Sequence, residues 1–159
     1  MKINFLLNGE KQAWEVAPGE TLLEVLRRHG MHGVKEGCRT GDCGACTVIV
    51  NGRNVNACLI LAPRADGAEI TTIEGLGTPA HPHPIQQAYV EAGAVQCGYC
   101  IPGSILSTKV LLDRNPAPRE EEIRKALDGN LCRCTGYITR FEAIASLTRR
   151  GPRKKGKKA

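Results

Sequence analysis

Eight cysteines in a chain of 159 residues fall into two groups of four, and this grouping limits the available folds more than any other feature. The first group is Cys38, Cys43, Cys46 and Cys58; the second is Cys97, Cys100, Cys132 and Cys134. Disulfides, metal frameworks and redox sets all use cysteine in such numbers, so the compartment has to decide among them. No stretch nears the ~18 apolar residues of a membrane helix, and "MKINFLLNGEKQAWEV" lacks the apolar run and cleavage site of a signal peptide. The chain is therefore expected in the cytoplasm, where thiols stay reduced and clustered cysteines more often hold metal.

The segments between the cysteines differ in character. "KINFLLNGEKQAWEV" alternates apolar and polar residues around Asn8-Gly9, a strong hairpin signal, and "TVIV" and "RNVNA" repeat it around Asn51-Gly52. Between the hairpins, Thr21 precedes Glu24 by a capping-box interval, with Leu22, Leu23, Val25 and Leu26 as an apolar face and Gly30 as the stop. "AEITTIEG" adds a strand, and proline-rich "LGTPAHPHP" marks a boundary. Beyond it "PIQQAYVEAG", "PGSILSTKVLLDRN", "REEEIRKALDG" and "TRFEAIASLTRR" predict four helices, with Pro84, Pro102 and Pro118 near their starts. The expected organisation is residues 1–76, a linker over 77–84, a helical part over 85–148, and a basic, disordered tail over 149–159.

Cys38, Cys43, Cys46 and a remote Cys58 carry the C-x4-C-x2-C spacing of plant-type [2Fe-2S] ferredoxins. Each iron of such a cluster takes two bridging sulfides and two thiolates, so four cysteines complete it. Gly37, Gly41 and Gly44 suit a loop whose backbone N–H groups approach the sulfurs closely. Cys97 and Cys100, with Cys132 and Cys134, are less decisive, because C-x2-C with a remote pair also describes four-cysteine zinc sites.

Taken together, "EGCRTGDCGACTV", "VQCGYCIPG" and "GNLCRCTGY" resemble the small iron–sulfur subunit of the molybdenum hydroxylases, the xanthine dehydrogenase and carbon monoxide dehydrogenase family. The resemblance runs from residue 1 to about 148. It implies an α+β chain: a ferredoxin-like β-grasp domain with one [2Fe-2S] cluster, then a four-helix domain with a second. It implies that Cys38, Cys43, Cys46 and Cys58 hold the cluster nearer a flavin, and Cys97, Cys100, Cys132 and Cys134 the one nearer molybdenum. By the same resemblance Gln96 contacts the molybdopterin cofactor, and the sulfur of Cys134 lies against the pterin amino group. The implied partners are a molybdopterin-binding large subunit together with an FAD-binding medium subunit. The chain would carry electrons between them, leaving substrate choice to another subunit.

No Rossmann glycine pattern, P-loop or nucleophile elbow offers this chain chemistry of its own. A diffusible two-cluster ferredoxin and a zinc-stabilised binding module are the competing classes. The formal net charge of +6 does not favour nucleic acid: seven Arg and Lys residues lie within 149–159, and subtracting them leaves −1 on residues 1–148. That segment has no aromatic residue to stack on bases. His81 and His83, between alternate prolines, read as solvated surface, and His29 and His32 as helix-end residues.

Overall fold

The computed structural model describes residues 1–148; the basic segment 149–159 lies outside the described residues. Two hairpins and one further strand build a five-stranded mixed sheet in the order β2-β1-β5-β3-β4. Strands β1 (Lys2–Leu7) and β2 (Glu10–Glu15) pair antiparallel from Lys2 opposite Glu15 to Leu7 opposite Glu10. Asn8 and Gly9 turn the chain with φ of 52° and 84°, both left-handed, as a tight twisted hairpin requires. Strands β3 (Thr47–Val50) and β4 (Arg53–Asn56) repeat the device at Asn51 and Gly52. Strand β5 (Glu69–Thr71) joins the hairpins, parallel to β1 and antiparallel to β3.

Helix α1 (Leu22–Arg28) lays Leu22, Leu23, Val25 and Leu26 on the sheet, all buried with Ile3, Phe5 and Leu7 from the inward face of β1. Its capping box forms as the sequence predicts: Glu24 N–H donates to Thr21 Oγ1, and the Glu24 carboxylate accepts from Thr21 N–H. At the other end Gly30, with φ of 88°, permits Met31 N–H to reach Leu26 O and Gly30 N–H to reach Arg27 O. This paired closure needs a left-handed residue at that position. His29 stacks face to face on Trp14 at 3.9 Å, so it packs rather than merely ending the helix.

Four helices follow: α2 (Pro84–Glu91), α3 (Ile101–Arg114), α4 (Glu120–Leu127) and α5 (Tyr137–Leu147). Their shared core includes Ile85, Tyr89, Ile105, Ile123, Leu127 and Ile144. Pro84 and Pro102 occupy first-turn positions, whereas Pro118 stands one residue before the cap at Arg119. None of the described helices is long and apolar enough to cross a membrane. One expectation needs correction: His83 is not simply solvated. Its Nδ1 accepts from Ile85 N–H at 3.2 Å and its own N–H donates to Gln86, closing the start of α2.

The two halves touch through β3. Val48 enters the core under α1, while Ile49, on the opposite face, packs against Leu106 and Val110 of α3. A strand covered on both sides needs the unbroken apolar run that "TVIV" supplies.

Candidate metal centres

The first four cysteines meet around a loop whose shape depends on small residues. Arg39, Gly41 and Gly44 all have left-handed φ, of 61°, 87° and 67°. The turn delivers Thr40 N–H and Cys43 N–H to Cys38 Sγ, each at 3.4 Å. Hydrogen bonds from Thr40 and Cys43 pull the Cys38 thiol down to about 6, because they stabilise its thiolate. A methyl carbon on Gly37 would stand 2.6 Å from Cys43 Sγ, so only glycine leaves room for that sulfur. Arg39 pairs with Glu36 at 2.8 Å and Glu24 at 3.2 Å.

The other two thiols of this set come from the hairpin. Cys46 immediately precedes β3, and Cys58 lies in a 3-10 turn over Ala57–Leu59 just after β4. Both are buried, and the two thiols lie side by side. Burial pushes the Cys46 thiol up to about 11. Asn56 Nδ2 donates to Gly41 O at 2.6 Å and so ties the hairpin to the loop.

The second four cysteines line one pocket, with Gln96 and Arg140 on its wall. Cys100 caps α3, and the Cys132–Cys134 loop leads into α5 through Thr135, whose φ is 60°. Cys97 faces Cys134, and Cys100 faces Cys132. The Cys97 thiol is lowered, first by the backbone N–H of Tyr99, while burial raises that of Cys100 against the pull of Arg140. Gly136 N–H donates to Cys132 Sγ at 3.4 Å. Gln96 is exposed at the pocket rim.

All eight cysteines are free thiols. Among the described residues, no three His, Cys, Asp or Glu side chains close on one point as a mononuclear ion requires. What the fold presents instead is thiols in facing pairs, and two thiolates per iron is what a diiron core takes. Backbone N–H groups already aimed at sulfur are the further condition, so the donor set fits.

Three residues escaped the sequence reading. Asn130, 3% exposed, donates from Nδ2 to Gly44 O at 3.1 Å and Thr47 Oγ1 at 3.3 Å, which joins the second cysteine loop to the first. Next to it Leu131 N–H donates to Cys43 O at 3.0 Å. The fully buried Arg140 sends Nη2 to Cys100 Sγ at 2.6 Å. Its signal was available: position 140 lies on the apolar stripe of α5 with Ala143 and Ile144, where a cation is out of place.

Comparison with known proteins agrees with this geometry. A 2Fe-2S iron-sulfur cluster binding domain matches residues 5–71, and a [2Fe-2S] binding domain matches residues 72–145. The nicotinate dehydrogenase small FeS subunit of Eubacterium barkeri is 53% identical over 143 residues, covering 89% of this chain and 91% of that one. The xanthine dehydrogenase iron-sulfur-binding subunit of Escherichia coli is 47% identical over 140 residues, 85% of this chain and 86% of the relative. In the crystal structure of quinoline 2-oxidoreductase from Pseudomonas putida 86, one chain superposes with a TM-score of 0.87 at 39% identity, covering 91% of this chain and 90% of that one.

Proposed function

Because the chain belongs to the small [2Fe-2S] subunits of the molybdenum hydroxylases, we propose that it relays single electrons from a molybdopterin-bearing large subunit to an FAD-bearing medium subunit. It is an electron-transfer subunit of an oxidoreductase complex and works with larger partner chains. A bound [2Fe-2S] group supplies a one-electron store at each site, whereas chemistry at molybdenum releases electrons two at a time.

The residues divide the work. Cys38 with Cys43, and Cys46 with Cys58, would hold the two irons of the first site. Cys97 with Cys134, and Cys100 with Cys132, would hold those of the second. N–H groups of Thr40, Cys43 and Gly136 stabilise added negative charge on the sulfurs they reach. Gln96 and the sulfur of Cys134 would face the pterin. The exposed position of Gln96 supports this, as do the exposed apolar side chains Val95, Tyr99, Leu131 and Ile138 near the second site, which suit a protein interface. Exposed Leu59 and Leu61 beside the first loop would meet the flavin-bearing partner. Residues 1–76 would form the ferredoxin-like unit, 77–84 the link and 85–148 the helical unit; the two cores support this division up to Ile70 and from Ile85 on, while Ile73 and Leu76 pack against the helical core. Eight free thiols suit a cytoplasmic setting.

One observation carries the relay. Leu131, adjacent to ligand Cys132, donates its N–H to the carbonyl of ligand Cys43 at 3.0 Å, so the two ligand loops lie in direct contact. A free-standing carrier would need no large partner. Affinity purification of the tagged full chain from its host is expected to bring a molybdopterin-containing chain and an FAD-containing chain in equal amounts. Elution of this chain alone, with its iron intact, would contradict the proposal.

A further inference from the structure

Arg140 is the most anomalous residue in the helical half. It is 0% exposed, it carries a guanidinium, and among the described residues no carboxylate pairs with it. Burying a cation without a counter-charge is costly, so a fold that tolerates it places a negative group nearby. The guanidinium donors identify that group. Nη2 reaches Cys100 Sγ at 2.6 Å, Nη1 reaches Asn130 O at 3.2 Å, and Nε is buried with no hydrogen-bond partner. The guanidinium carbon lies 5.6 Å from the ring centre of Tyr137, whose hydroxyl accepts the N–H of Cys132. Arg140 therefore touches one thiol of the second quartet directly and holds the backbone beside another through Tyr137 and Asn130.

We propose that Arg140 is a positioning residue that sets the reduction potential of the second [2Fe-2S] site, holding it higher than the same four cysteines would alone. This rests on the reading that Cys97, Cys100, Cys132 and Cys134 hold such a cluster. Four thiolates around a diiron core are net negative, and reduction adds one electron and one more negative charge with no bond made or broken. A fixed cation and an N–H donor at a ligand sulfur stabilise the reduced form more than the oxidised one. Burial keeps water from screening the guanidinium, so its effect falls chiefly on the nearer site.

The test compares Arg140→Lys, Arg140→Gln and Arg140→Met, each in the full chain purified with its partner subunits. Iron is counted, and the two reduced clusters are titrated against potential by EPR. Two signals in the unmodified complex establish the cluster reading itself; absence of a second signal defeats that reading before any variant is considered. In the Gln and Met variants, the reduced-to-oxidised ratio of the second site at fixed potential is expected to fall at least tenfold, about 59 mV for one electron. The first site should move less, and Lys should restore most of the difference. If Met prevents assembly, Lys and Gln decide the matter, since both reach into the site and only one carries charge. Loss of second-site iron from Gln but not from Lys supports the proposal. Equal potentials in Lys, Gln and the unmodified chain, or equal loss of iron from both variants, overturn it and leave Arg140 a packing residue.

Discussion

Two thiols from the same loop region sit in opposite surroundings. Cys38 is held down to about 6 by the Thr40 side chain first and then by the N–H groups of Cys43 and Thr40, whereas burial drives Cys46 to about 11. In the iron-free chain at pH 7, Cys38 is mostly thiolate and Cys46 is protonated. Iodoacetamide followed by peptide mapping should therefore label Cys38 well before Cys46; equal labelling of the two would contradict the hydrogen-bonded loop. Cys100→Ser replaces a soft ligand with a hard one at a buried position, so iron should fall by about half while the first cluster's spectrum persists. The two cysteine quartets were legible in the sequence because metal chemistry restricts both residue type and spacing. Asn130 was not, because its importance arises only when distant segments meet; Arg140 left only the trace of a cation on the apolar stripe of α5, with nothing to say which sulfur it reaches.

Helices and hairpins were readable wherever a local rule decided them: Asn-Gly turns with left-handed φ, the Thr21–Glu24 box, and the Gly30 closure. Thr21→Ala should cost about 1 kcal/mol in chemical denaturation, since it removes the acceptor for Glu24 N–H. The 3-10 turns over Ala57–Leu59, Ala62–Ala65 and Ile73–Gly75 went unread, being too short for any periodicity. Nor did composition reveal the cap at His83. Burial first, then Lys109, lowers its pKa, and its neutral Nδ1 is the cap acceptor. With the folded pKa below the unfolded value of about 6.5, the unfolded chain takes up the proton first. The stabilising contribution is thus present above about pH 6.5 and lost as pH falls through the folded pKa. The protection factor of the Ile85 amide should fall on acidification in the native chain and not in His83→Asn, which caps without titrating; identical protection profiles would contradict this.

Across the whole molecule, the two cores are joined at β3 and at the seam where Gly44 meets Gly129 and Asn130. The sequence leads one to expect two units with a boundary over 77–84, but it carries no sign of this contact, which depends on Gly44 having no side chain. A methyl carbon there would lie 1.9 Å from Gly129 O at a φ of 67°. Gly44→Ala should therefore destabilise by on the order of 2 kcal/mol or more and split one calorimetric transition into two. A single unshifted transition would show that the seam does not couple the halves. The most direct test of two thiolate quartets in one electron-transfer subunit is spin-counted EPR of the dithionite-reduced complex, with iron and acid-labile sulfide measured on the same sample. The account predicts two distinct signals, each integrating to about one spin per chain, with about four irons and four sulfides. One signal with about two irons would contradict it.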